Sequence, residues 1–300
     1  MSFFSGRKNS ATGFIFYSNI FLSLSVTSLV VETSEVLHLP ALNLGYAFFL
    51  FSSTLFLYSF HRIYRLDLKR GNAELAERHL WVRDHPVFFY TLLGFSAAGS
   101  ATSALLSIPL PVLLCLVPVG IISFGYTVPC IPFRGNLIRL RDVPGIKIFL
   151  ISLVLAITTV YLPLLAEGKS ANLCRPAVLL IFIRRMLFVF AITIPFDIRD
   201  QHYDNENNTR TIPVVFGAEK AKAFAYLALL TFIFLAILQF LVVSETPLPY
   251  LLALSLSALI SAYVISISGG GKKDLFYSFY LEGMMLLQCL LVTIVHTYWK

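Results

Sequence analysis

The sequence predicts an all-α bundle of nine membrane-spanning helices, and three observations predict it. The 300 residues are 57% hydrophobic and only 13% charged, with a mean hydropathy of +0.79, whereas a soluble domain carries about 25% charged residues. Several apolar runs reach roughly 20 residues, enough to cross about 30 Å of hydrocarbon. Lysine and arginine cluster on alternate connections, the pattern that sets orientation in a membrane. This composition excludes a soluble domain, and nucleic acid is not expected as a partner.

The first span, roughly 14–37, follows Arg7 and Lys8. Its apolar stretch runs to about Val31 without an A-x-A cleavage site, so it reads as a retained helix and not as a removed leader. The second, 40–62, starts at Pro40, the third, 86–107, at Pro86, and the fourth, 109–128, at Pro109 and Pro111. Pro144 precedes the fifth, 145–166. Pro176 opens the sixth, 175–197, and the Pro247/Pro249 pair opens the eighth, 248–268. Proline starts a helix well and continues one badly, which is why it punctuates these joins. Apolar length marks the seventh, 221–243, and the ninth, 277–298.

Charge supports an odd count. The connections on the N-terminal side hold eighteen of the 23 basic residues: Arg7 and Lys8, six from Arg62 to Arg83, four from Arg134 to Lys147, four from Arg199 to Lys222, and Lys272 with Lys273. The opposite side holds only Lys169, Arg175 and Lys300. The N-terminus is therefore expected in the cytoplasm and the C-terminus outside, in a multi-pass protein of the cell (inner) membrane.

One membrane domain covers 1–300, with cytoplasmic loops at about 63–85, 129–144 and 198–220. Function concentrates in long loops, and these three share one side. In the first, residues 73–82 predict a short surface helix with a Glu74–Arg78 pair at i, i+4. Cys115, Cys130, Cys174 and Cys289 are scattered without a C-x-x-C pair and read as small apolar fillers.

The chemistry centres on the end of span six, where Asp197, Asp200 and Asp204 stand at i, i+3 and i+7. That spacing puts three carboxylates on one helix face, near the negative end of the helix dipole, where anions are disfavoured. A divalent cation with oxygen preference would offset them. Further on the chain reads Arg210-Thr211-Ile212-Pro213-Val214 and then Gly217. The whole string resembles the second aspartate-rich motif of the UbiA-type intramembrane prenyltransferases, D-x-x-D-x-x-x-D followed by R-T-(L/I)-P-V and a glycine.

That resemblance extends over nearly the whole chain and implies nine helices around a lateral cavity. It implies two aspartate-rich motifs, after spans two and six, that hold Mg²⁺ and an isoprenyl diphosphate, whose prenyl group passes to an aromatic or other lipid-soluble acceptor. The first motif, N-D-x-x-D-x-x-x-D, is degenerate here: Ser59 stands for Asn, Phe60 and Ile63 for the first two Asp, and only Asp67 remains. The expected metal ligands are thus Asp197, Asp200, Asp204 and Asp67. His61, Arg62 and Arg65 occupy the same stretch, where guanidiniums could bind diphosphate oxygens directly or simply anchor the helix in the cytoplasm. Asn19, Tyr126, Arg134 and Lys147 complete the expected substrate-binding set by resemblance. Cys130 stands where the family places a lysine four residues beyond the tyrosine.

Arg184 and Arg185 lie inside span six, at about 2.5–3.5 kcal/mol each on insertion scales, and a structural pair with Glu282 is expected. They are roughly 18 Å along the helix from Asp197. Two other functions compete with prenyl transfer. One is a non-catalytic prenyl-lipid binder or scaffold of the same fold, in which Phe60, Ile63 and Tyr64 would plug the mouth. The other is a transporter using Arg184, Arg185 and Glu282 as a buried relay.

Overall fold

A computed structural model describes residues 11–39, 42–68, 77–133, 136–206, 209–242, 247–269 and 271–298. Its helices follow the expected order: α1 (Ala11–Tyr17), α2 (Ile20–Val36), α3 (Leu44–Leu68), α4 (Glu77–Asp84), α5 (Pro86–Ser107) and α6 (Leu110–Gly125). A two-stranded antiparallel hairpin, β1 (Ile131–Phe133) with β2 (Asn136–Ile138), interrupts the α pattern. Then come α7 (Ile146–Ala156), α8 (Leu162–Ala166), α9 (Pro176–Arg199), α10 (Gln201–Glu206), α11 (Ile212–Phe216), α12 (Ala218–Val242), α13 (Leu248–Ser266), α14 (Asp274–Phe276) and α15 (Glu282–Tyr298). A π turn at Ile157–Tyr161 fuses α7 to α8, and another at Tyr277–Leu281 fuses α14 to α15.

Among the described residues, seven helices are long and apolar enough to cross a membrane. The expected fourth span is the shorter apolar helix Leu110–Gly125, which carries Pro118 inside it. The expected first span is broken. Asn19 takes a left-handed conformation, φ 67°, one that asparagine tolerates better than most residues, so α1 and α2 are separate helices.

In order of contact, α5 packs on α3, α3 on α2, α2 on α15, α15 on α13, α13 on α12, α12 on α9, and α9 on α7. One continuous core runs through this ring, with Val26, Leu29, Phe188, Ile194, Ala225 and Leu281 among its most buried members. Outward-facing Leu105, Leu106, Leu114, Val117 and Ile121 on α5 and α6 stay exposed, as a lipid-facing surface requires. The π turn at Ile157–Tyr161 precedes Pro163, which cannot donate a helical hydrogen bond. The Thr158 carbonyl there accepts a 2.6 Å bond from the Tyr46 hydroxyl and ties α3 to the turn.

The paired arginines correct one expectation. Arg185 forms its ion pair with Glu32 of α2 and donates to the Leu29 carbonyl (3.2 Å) and Thr33 Oγ1 (3.1 Å). Arg184 lies 5.6 Å over the Phe232 ring. Glu282 instead sits among Arg62, Arg78 and Arg199, so the expected pair with Glu282 is replaced by one with Glu32.

Candidate functional site

Gly145 begins the site. It caps α7 with φ 72°, a value that favours glycine, and its amide donates to the Arg210 carbonyl at 3.2 Å. This tight turn starts α7 with Lys147 buried against α9. Lys147 Nζ lies 2.6 Å from Asp197 Oδ1 and 3.4 Å from Asp204 Oδ2. The two aspartates are seven residues apart and share a face as the spacing predicts. Asp200 caps α9 and points elsewhere, because three residues along a helix rotate a side chain about 60° off that face.

Asp200 meets two guanidiniums. Arg199 Nε approaches it at 2.8 Å and Arg78 at 3.6 Å. Both arginines also reach Asp274 of α14, at 3.3 and 3.4 Å. Burial alone would raise the Asp200 carboxyl, but Arg199 and then Arg78 outweigh it and hold it well below the usual carboxylate range. Arg78 was expected on a solvated surface helix paired with Glu74. Glu74 lies outside the described residues, and Arg78 turns inward instead. An aromatic knot seats α4 for this: Trp81, Val82 and Phe89 pack with Phe14, Tyr17 and Ile63, with Phe14 and Trp81 edge to face at 4.9 Å.

The facing wall comes from α3, α15 and the end of α6. Arg62 donates to the Tyr17 carbonyl at the helix break, and its charge, with those of Arg199 and Arg78, falls on Glu282. The π turn carries Ser278 and Leu281 into the same wall as Glu282. His61 stacks on Tyr126 at 6.0 Å. Arg141 covers the same tyrosine ring at 5.5 Å and is 8% exposed. Its Nε has no hydrogen-bond partner among the described residues.

These walls enclose a cavity of about 220 Å³ whose charged lining is Arg62, Arg78, Arg141, Lys147, Arg199, Asp197, Asp200 and Glu282. A second cavity of about 340 Å³ adjoins it between α3, α6 and α7, and Tyr58, His61, Tyr126, Ile151 and Leu155 line both. Beyond them the second cavity is mainly apolar, with Phe49, Leu50, Phe56, Leu57, Leu116, Phe124 and Val154. Phe60, Ile63 and Tyr64 line neither cavity. Phe60 stacks on Phe56 and Tyr64, so the plug that a scaffold would need is not formed by these side chains.

Of the expected site residues, the structure brings together His61, Arg62, Tyr126, Lys147, Asp197 and Asp200 on one cavity, with Asp204 behind Lys147. Asn19 is buried and gives a 3.4 Å hydrogen bond to Ser59 Oγ, away from the lining. The Arg65 and Asp67 side chains and Arg134 lie outside the described residues. Arg78, Arg141, Arg199 and Glu282 were missed as site residues. Only Arg199, inside the aspartate string itself, carried a local signal.

A divalent cation fits one wall only. The Asp197 carboxylate is already matched by Lys147, and Asp200 by Arg199 and Arg78. Among the described residues no three His, Cys, Asp or Glu side chains gather as a metal cluster. A two-sided Mg²⁺ cage is not what these residues build.

A family model for the UbiA prenyltransferase family matches residues 75–285. No curated protein matches the chain. Solved structures do. A UbiA homolog from Archaeoglobus fulgidus bound to DMAPP and Mg²⁺ shares 15% identity and a TM-score of 0.63, over 96% of this chain and 100% of that one. An apo UbiA homolog from Aeropyrum pernix K1 shares 18% and 0.64, over 91% and 98%. A structure concerning digeranylgeranylglyceryl phosphate synthase in membranes shares 14% and 0.59, over 95% and 97%. At such identities the likeness establishes the fold.

Proposed function

Because the chain belongs to the UbiA prenyltransferase family and is a multi-pass membrane protein, we propose that it transfers an isoprenyl group from an isoprenyl diphosphate to a lipid-soluble acceptor. One observation carries this reading: a basic cavity adjoins an apolar one, with Tyr58, His61 and Tyr126 lining both. A prenyl diphosphate has the same two-part chemistry, an anionic head on an apolar tail. Lys147, Arg62, Arg78, Arg141 and Arg199 would hold the head, and the cavity between α3, α6 and α7 the tail.

The allylic carbon then sits at the aromatic junction. As its bond to the diphosphate oxygen breaks, negative charge grows on the leaving group and is met by charge-assisted hydrogen bonds from fixed cations. Positive charge grows on the carbon beside the Tyr58 and Tyr126 rings, whose faces favour cations. An acceptor entering from lipid attacks that carbon with an electron pair, and the proton it loses passes to the departing diphosphate. Mg²⁺, present in the Archaeoglobus fulgidus homolog, would find only Asp197 and Asp200 of the three aspartates on this cavity to hold it, and would supply further neutralisation of the diphosphate. In this reading the basic connections lie in the cytoplasm, as basic connections generally do, and the mouth faces it.

A second reading, non-catalytic prenyl-lipid binding, is favoured by the neutralisation of every lining aspartate by a basic partner. Radiolabelled farnesyl and geranylgeranyl diphosphates, added to membranes containing the protein, separate the two. Transfer of label into organic-extractable lipid with diphosphate release supports the enzyme. Retention of intact diphosphate supports the binder, and no association overturns both.

A further inference from the structure

The charged cavity is unbalanced in favour of cations. Five basic side chains line it against three carboxylates, and each of those carboxylates is already engaged. Asp197 lies on Lys147, Asp200 lies between Arg199 and Arg78, and Glu282 lies in the field of Arg62, Arg199 and Arg78. A divalent cation entering this space would meet guanidiniums on the α3, α4 and α9 sides. A trianionic headgroup would meet the opposite conditions.

Arg141 makes the case specific. It is a buried guanidinium that lines the cavity, lies on the face of Tyr126, and leaves its Nε without a hydrogen-bond partner among the described residues. Burying such a donor unsatisfied is costly, and an anion in the cavity would satisfy it. Arg78 and Arg199 also share Asp274 as well as Asp200. Either can therefore turn toward a phosphate oxygen while the shared carboxylates keep the other in place.

Resting on the reading of this cavity as a prenyl diphosphate site, we infer that the chain captures the diphosphate headgroup directly on Arg141, Arg62 and Arg78, so that binding needs no divalent cation. Guanidinium forks match phosphate oxygens in pairs, and three of them around one head can replace the neutralisation that a metal brings.

Calorimetry on the purified full chain in detergent, with farnesyl diphosphate in EDTA and again in millimolar Mg²⁺, tests this. The expected dissociation constants agree within about threefold. Arg141→Gln weakens binding in EDTA at least tenfold, about 1.4 kcal/mol, and Arg141→Lys recovers part of the loss. Binding that weakens tenfold or more in EDTA for the unaltered chain overturns the inference and leaves the proposed function standing. Absence of binding in both media overturns the site reading itself, and the inference with it. The comparison of media uses the unaltered chain, so it holds even if a variant fails to fold.

Discussion

Lys147 Nζ lies 2.6 Å from Asp197 Oδ1 in the interior of the bundle, with both residues almost wholly buried. Removing one partner of such a pair strands a charge and costs about 3–5 kcal/mol, while replacing both with apolar groups is often neutral. Asp204 stays within 3.4 Å of the ammonium, so Asp197→Ala is expected at the lower end, about 3 kcal/mol. Lys147→Met is expected to cost more, and the double variant Lys147→Met/Asp197→Leu to regain most of the stability. Thermal unfolding in detergent measures this; additive losses in the double variant would mean the pair is not coupled.

Asp200 gives a pH dependence of known sign. Its folded carboxyl is held below its unfolded value by Arg199 and Arg78 against the opposing effect of burial. Its contribution is therefore complete above the ordinary carboxylate range near 3.9 and declines as pH falls below it. The unaltered chain is expected to be more stable than Asp200→Asn by a constant margin from pH 7 to 5, and by a shrinking one below pH 4. A margin that grows on acidification would contradict the arrangement.

Gly120 of α6 lines the apolar cavity, and a Cβ built there meets no atom within 4 Å. Gly120→Phe would fill tail space without touching the charged head. The expected result is a loss of geranylgeranyl diphosphate binding of tenfold or more, with geranyl diphosphate affected less than threefold. Equal losses for the two chain lengths would place the tail elsewhere.

Orientation is open to labelling. In a cysteine-free background, Lys169→Cys is expected to react with a membrane-impermeant maleimide on intact cells, and Arg83→Cys only after permeabilisation. The reverse pattern would invert the bundle and put the basic mouth outside.

Apolar length and proline punctuation marked the helices because burial and backbone chemistry act locally. Likewise, the seven-residue spacing of Asp197 and Asp204 foretold a shared face because helical geometry is local. What escaped was long-range. Nothing near Arg78 in sequence says that Asp200 and Asp274 will receive it, and nothing near Arg185 names Glu32. The break at Asn19 stayed hidden because an asparagine inside an apolar run reads as a polar helix residue until its φ is known. Arg141 looked like one more basic loop residue, and only the turn at Gly145 and the Tyr126 ring show it to be buried.

The Arg185–Glu32 pair bears on how the protein is made. Arg185 follows its α2 contact Thr33 by 152 residues, so α2 is synthesised long before its counter-charge exists. A guanidinium at the centre of a membrane helix resists insertion, and α9 carries two in succession. Glu32 of α2 therefore waits for its counter-charge until α9 has been made. The core between α2 and α9 thus gains its full complement of charge only once the second half of the chain is present.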